Sequence, residues 1–280
     1  MRSAVTISLV PEARRGPFVY HVDPDATAPG AVTLAACCRA AAELGFDSVE
    51  IFAADAETFP RQELRGLLGT HGLNLAAVGT GAGWVRHGLS LCDADPERRA
   101  RAAAFVAGIV DLAGEFGAPA IIGSMQSRSS ASVSREAALD LLAAALGPLG
   151  SRAERHGQVL LYEPLNRYET DLFNRQADAA GFLGVRGLGP VRLLADLFHM
   201  NIEEADLAAA LRSVAPCLGH VHWADSNRRA MGLGHTPPGP IVATLREIGF
   251  TGHLSAEVFP LPSPAAAAAA SIESFRRFVA

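Results

Sequence analysis

Residues 157–200 read GQVLLYEPLNRYETDLFNRQADAAGFLGVRGLGPVRLLADLFHM, and they hold one complete unit of the pattern that decides the fold. Val159–Glu163 is a short apolar run bounded by turn residues, Gln176–Val185 has helical composition, and Val191–Asp196 is again short and apolar. Two strands joined through a helix run parallel, because a hairpin cannot connect them. Working outward, the same alternation predicts strands at Val5–Val10, Ser48–Phe52, Leu75–Gly79, Ala120–Gly123, Gly219–Trp223 and Leu254–Phe259. The intervening helices are predicted at Thr33–Leu44, Arg61–His71, Pro96–Phe116, Ser134–His156, Asp206–Val214 and Ile241–Ile248, with Pro264–Phe278 closing the chain. Gly45, Gly72, Gly117, Gly157 and Gly249 fall where helices end, as C-cap glycines do.

Eight strands in alternation predict a closed (β/α)8 TIM barrel formed by residues 1–280 as a single domain. A doubly wound dinucleotide fold would carry a glycine-rich turn after its first strand, whereas Pro11-Glu12-Ala13-Arg14-Arg15 stands there. Gly79-Thr80-Gly81-Ala82-Gly83 resembles a phosphate cradle, but Trp84 and His87 follow where the helix should begin, so it reads as a flexible lid. The alanine run Ala265–Ala270 suits the interior of a barrel-sealing last helix.

Composition narrows the chemistry. The chain has 280 residues, 49% of them hydrophobic and 19% charged, so it can bury a large core. All 24 residues counted as Lys+Arg are arginine. Without lysine there is no Schiff-base aldolase, no pyridoxal phosphate linkage and no Walker phosphate loop. The net charge of -5 and the lack of a basic tract give nucleic acid no electrostatic footprint. No apolar run approaches the ~20 residues of a membrane span, and the first residues lack the form of a signal peptide. A cytoplasmic location is expected, with a small polar substrate and a homo-oligomeric assembly in keeping. Cys37, Cys38, Cys92 and Cys217 form no C-x-x-C pair and read as reduced packing residues.

The ionisable residues gather at strand ends, where parallel barrels place their active sites. The fifth strand closes on Glu163, the sixth on Asp196, the seventh runs through His220-Val221-His222, and the eighth leads into Glu257. Carboxylates converging on a barrel axis need neutralising, and a divalent cation is the simplest means. Oxygen and nitrogen donors without thiolate suit Mn2+, Mg2+, Co2+ or Zn2+. Glu50 is placed in or near the barrel mouth, either to bond a sugar hydroxyl or orient a neighbour, or in a purely structural role. Trp84, Trp223, Phe18 and Phe52 are candidates for an apolar wall over the substrate, and Asp225 for support of the loop that follows it.

Glu163-Pro164-Leu165-Asn166-Arg167, Asp196-x-x-His199-Met200-Asn201, His220-Val221-His222-x-x-Asp225-Ser226-Asn227-Arg228 with Gly232-x-Gly234-His235, and Ala256-Glu257 together resemble the sugar isomerase/epimerase family of xylose-isomerase-like barrels. The pattern is most similar to ketose 3-epimerases of the D-tagatose and D-psicose type. The resemblance implies one divalent ion, Mn2+ foremost, held by Glu163, Asp196, His222 and Glu257. It further implies substrate contacts from Glu169, His199 and Arg228. A metal-bound ketose has its α-proton acidified, so Glu163 and Glu257 on opposite faces are expected to be the catalytic pair, one removing the C3 proton and the other returning a proton to the opposite face, with no nicotinamide or pyridoxal phosphate. Hydroxypyruvate isomerases and inosose dehydratases share these residues and are the near rivals, and a non-catalytic sugar-binding barrel is a more distant one. Endonuclease IV-like repair enzymes need further histidine and aspartate ligands and a basic face, neither of which the sequence offers.

Overall fold

Strands whose two faces are both covered need apolar residues at consecutive positions, and Ala120–Ile122 and Leu160–Tyr162 are buried throughout. In the computed structural model, which describes residues 1–280, eight such strands form one parallel sheet. They are β1 (Arg2–Ser8), β2 (Ser48–Phe52), β3 (Asn74–Gly79), β4 (Ala120–Ile122), β5 (Leu160–Tyr162), β6 (Val191–Asp196), β7 (Leu218–His222) and β8 (His253–Ala256). Pairing of β1 with β8, from Arg2 opposite His253 to Val5 opposite Ala256, closes the barrel. A two-residue strand, Tyr20–His21, adds itself to β1 alongside Ile7 and Ser8.

The helices are α1 (Leu34–Leu44), α2 (Arg61–His71), α3 (Ala82–His87), α4 (Pro96–Glu115), α5 (Arg135–Arg155), α6 (Gln176–Val185), α7 (Leu197–Glu203), α8 (Leu207–Ser213), α9 (Pro238–Glu247) and α10 (Pro264–Phe278). Their starts follow side-chain capping: Thr33, Asp95, Ser134, Asp206 and Ser263 each accept a backbone N–H from the first turn. Gly45 (φ +86°) ends α1 in the left-handed region. None of the helices is long and apolar enough to cross a membrane.

Two helices are additions to the sequence expectation, as is the short strand Tyr20–His21. The glycine-rich stretch after β3 leads into a helix, α3, whose first residues Ala82 and Gly83 are buried, and a Cβ at Gly83 would clash with Met125 and Phe105. An extra helix, α7, starts directly at the end of β6, where Asp196 caps it.

Apolar side chains fill the space between sheet and helices, and Ala77, Ile121, Leu161 and Leu194 form a small cluster of their own from β3, β4, β5 and β6. The ionisable strand ends lie beyond these residues along the chain, at the C-terminal end of the barrel. The four cysteines are free, three of them buried. α10 seals the outside: Ala267, Ala268 and Ile272 are buried, and Ser274 Oγ accepts the Trp223 indole N–H at 3.0 Å.

Candidate metal centre and active site

Asp196 and His222 are the last residues of β6 and β7, while Glu163 and Glu257 stand one residue beyond β5 and β8. Their ligand atoms all lie within 4.8 Å of one another. His222 Nδ1 is the meeting point, 3.4 Å from Glu163 Oε1, 3.4 Å from Asp196 Oδ2 and 3.5 Å from Glu257 Oε2. On its other edge His222 Nε2 is 3.1 Å from Glu50 Oε1.

Neighbouring charge sets the protonation of this cluster. Burial opposes a charged His222, but Glu257 and Glu50, with the hydrogen bond to Asp196 and the nearby Glu163 carboxylate, hold its pKa well above the usual imidazole value. Burial pushes the Glu163 carboxyl up to about 7; His222 pulls against this, and repulsion from Glu257 and Asp196 adds to it. Burial acts upward on Asp196 too, yet His199, Arg228 and His222 hold it below the ordinary carboxylate range.

A divalent cation fits these residues. Glu163 Oε1 is buried and has no hydrogen-bond partner. Three carboxylates beside one imidazole make an oxygen-rich, thiolate-free donor set, which suits a hard or borderline ion. Gly123 is part of the fit, since a Cβ there would stand 2.5 Å from Glu163 Oε2.

Asp196 has two duties, one per oxygen. Oδ1 accepts the Phe198 N–H at 2.7 Å and caps α7, leaving Oδ2 for the cluster. Starting the helix there puts His199 on the same side, three residues on. His199 Nδ1 accepts the Asn166 backbone N–H at 3.2 Å and its side-chain amide at 2.7 Å. Those two donors to Nδ1 place the proton on Nε2, which lies 3.9 Å from Glu163 Oε1 and 3.7 Å from Asp196 Oδ2, with the Arg228 Nη1 donor 3.4 Å away. Burial pushes the His199 pKa down to about 3, so a neutral N–H donor faces the site.

Arg228 is brought in by the loop after β7. Asp225 organises that loop by accepting the N–H groups of Ser226, Gly232, Gly234 and Thr236 at 2.6–3.0 Å. Gly234 suits its place because a Cβ there would clash with Asp225 Oδ1, which the loop's N–H groups hold fixed. Arg228 itself takes a left-handed backbone (φ +55°) and donates its N–H to the Asp225 carbonyl at 2.8 Å. Its guanidinium packs 4.6 Å from the Phe198 ring centroid, pairs with Glu257 and reaches Asp196 Oδ2 at 3.3 Å.

A cavity of about 530 Å3 opens over the cluster, lined by Glu50, Glu163, Glu169, His199, His222, Arg228 and Glu257. Phe18 and Phe52 stack with centroids 4.5 Å apart and form an apolar wall. Glu169 accepts the Asn166 amide at 3.0 Å, and burial raises its pKa.

Two expected wall residues are elsewhere. Trp84 is 45% exposed and absent from the cavity lining, since coiling of α3 turns it outward and leaves its neighbour Val85 to line the cavity. Trp223 is buried in the outer core. Sequence reasoning gave no role to Asn166 or Phe198. Each has a local signal: Asn166 stands three residues before Glu169, and Phe198 precedes His199.

Asp225 supplies a test of this geometry. Asp225→Ala is expected to lower kcat/KM by about 100-fold, the scale of a ~1 Å misplacement of a binding group. None of the four cluster residues lies in the loop, so Mn2+ affinity should stay near wild type; a variant with full kcat/KM would show that Arg228 is held by other means.

The D-psicose 3-epimerase of Enterocloster bolteae is 33% identical over 225 residues, spanning 77% of this chain and 73% of that protein. The D-psicose 3-epimerase of Agrobacterium fabrum is 41% identical over 100 residues, a stretch covering 36% of this chain and only 35% of that one. In fold, the structure of a D-allulose 3-epimerase from a Methylomonas species in complex with D-allulose matches with a TM-score of 0.82 at 21% identity, covering 99% of this chain and 97% of that chain. Residues 38–278 match the family described as the xylose isomerase-like TIM barrel, and the chain belongs to that family.

Proposed function

We propose that the protein is a divalent-metal-dependent epimerase of a ketose or keto-sugar acid, with Glu163 and Glu257 as its proton-transfer pair. The observation that carries this reading is the convergence of both carboxylates on His222 Nδ1 at the edge of a cavity lined by His199 and Arg228. Mn2+ is the ion we assign foremost; bound by Glu163, Asp196, His222 and Glu257, it would polarise the substrate carbonyl and acidify the neighbouring C–H. One glutamate takes that proton, and the other returns one to the opposite face of the planar enediolate, inverting the carbon without redox chemistry. The Nε2–H of His199 and the Arg228 guanidinium donate to substrate oxygens on which negative charge develops. Glu169 contributes an acceptor for a hydroxyl farther along the chain. Phe18 and Phe52 shed water from the apolar edge of the sugar.

The test is turnover in D2O with a panel of ketohexoses, ketopentoses, keto-gluconates, inosose and hydroxypyruvate, using metal-stripped and Mn2+-loaded protein. Deuterium at C3 of the product is the expected result. Label at C1 or C2 would instead identify aldose–ketose isomerisation, and product retaining all its protium would exclude carboxylate-mediated exchange. A cavity of about 530 Å3 is ample for a hexose and leaves a three-carbon substrate loosely held, which weighs against hydroxypyruvate.

A further inference from the structure

Behind His222, away from the three carboxylates, a fourth carboxylate stands between two imidazoles. Glu50 Oε2 is 2.8 Å from His220 Nε2, and Glu50 Oε1 is 3.1 Å from His222 Nε2. The histidines alternate with Val221 on β7, so both point inward, and their rings are nearly perpendicular at 88°. Each N–H therefore meets its own oxygen of one carboxylate. All three side chains are buried, Glu50 to 5% exposure and each histidine to 1%. Proton transfer by Glu163 and Glu257 makes no use of Glu50 or His220.

We propose that Glu50 and His220 are positioning residues for the metal centre: His220 clamps one oxygen of Glu50, and the other fixes His222 with its proton on Nε2 and its Nδ1 lone pair toward Glu163, Asp196 and Glu257. The proposal rests on the reading of those four residues as the metal ligands. A carboxylate only accepts, so it selects the imidazole tautomer that donates from Nε2, and a neutral imidazole then has its lone pair on Nδ1. The other tautomer would put a hydrogen where the ion must bind. A carboxylate held at one oxygen alone could swing away; the N–H of His220 prevents that. Ligand histidines oriented by a carboxylate gain metal affinity of 10–100-fold from it.

The experiment measures Mn2+ dissociation constants by the EPR signal of free Mn2+, with stoichiometry. Glu50→Ala is expected to weaken binding by ~10–100-fold. His220→Leu should weaken it by about 10-fold, while His220→Gln, which keeps an N–H at similar reach, should recover most of that loss. The double variant Glu50→Ala with His220→Leu should bind no more weakly than Glu50→Ala alone, because His220 acts through Glu50. Multiplying losses in the double variant, or wild-type affinity in His220→Leu, would overturn the proposal, as would two ions bound per chain. A measurement on the unaltered protein guards against misfolded variants. Nitrogen-15 NMR of the Mg2+- or Zn2+-loaded wild type should find His222 protonated at Nε2, and a proton at Nδ1 refutes the assignment. If the wild type takes up no ion, the metal reading itself fails, whereas normal uptake with unmoved variants overturns only the positioning role.

Discussion

Replacing Glu257 by Gln is expected to lower kcat by two to four orders of magnitude, roughly the whole contribution of a positioned general acid–base group. Glu163→Gln should do the same. The amide has the shape of the carboxylate and can still offer an oxygen, but it can neither take a proton from carbon nor deliver one to it. The two variants should nevertheless differ in binding. Glu257 pairs with Arg228 and has the more exposed side chain, 13% against 8% for Glu163. Its loss frees the guanidinium for substrate oxygens, so KM should change little. Glu163 lies deeper, and burial raises its pKa to about 7, so the folded protein already accommodates its uncharged form near neutral pH. Gln there mimics that form and should spare the fold while stopping turnover. Steady-state kinetics on an active ketose, with D2O exchange measured separately, checks both; near-wild-type kcat in either variant removes that residue from the proton-transfer pair. Exchange surviving in one variant without product would identify the glutamate that takes the first proton.

The barrel is legible in the sequence because alternation is a local signal repeated along the whole chain. Ser48–Phe52, Val191–Asp196, Gln176–Val185 and Pro264–Phe278 have the same limits in the structure as in the sequence reading. Strand eight is shorter than its apolar run suggests, since the Glu257 N–H turns back to the Ser255 carbonyl at 3.0 Å and ends the ladder at Ala256. That turn is a backbone event with no compositional mark. The cluster of Glu163, Asp196, His222 and Glu257 was legible for a related reason, as strand ends of a parallel barrel meet at one place. What a strand-end rule cannot supply is the rotation of side chains on short helices. Trp84 and Val85 are neighbours in sequence, yet only the turn of α3 decides which one reaches the cavity. Glu50 was open between two roles because its partners, His220 and His222, are 170 and 172 residues away. Only closure of the barrel brings β2 and β7 within hydrogen-bond distance.

Metal affinity should fall steeply as the pH is lowered. Both His222 and Glu163 hold protons more tightly than free side chains do, and both must release them to become ligands. Above about 7, where the Glu163 carboxyl is already ionised, one proton from His222 remains to be displaced, and affinity should change ~10-fold per pH unit. Below that point two protons are displaced, and the slope should approach ~100-fold per unit. Asp196 adds nothing to the slope in this range, because its pKa is held below the ordinary carboxylate range. Calorimetric titration with Mn2+ in buffers of different ionisation enthalpy counts the protons directly, and a pH-independent affinity would falsify the ligand set. Asp196→Asn separates the two duties of that side chain. Asparagine is as good a helix cap as aspartate, so α7 should keep its start at Leu197 and the fold should survive. The charge is lost, however, and Mn2+ binding should weaken by more than about 100-fold, taking turnover with it. Ion-dependent stability should vanish together with binding: wild type at 100 times its dissociation constant gains about 2.7 kcal/mol against unfolding, and the variant should gain almost none at the same concentration. A variant that melts normally without Mn2+ but no longer responds to it would locate the defect at Oδ2, the oxygen facing His222, and not at Oδ1, the oxygen that holds the helix.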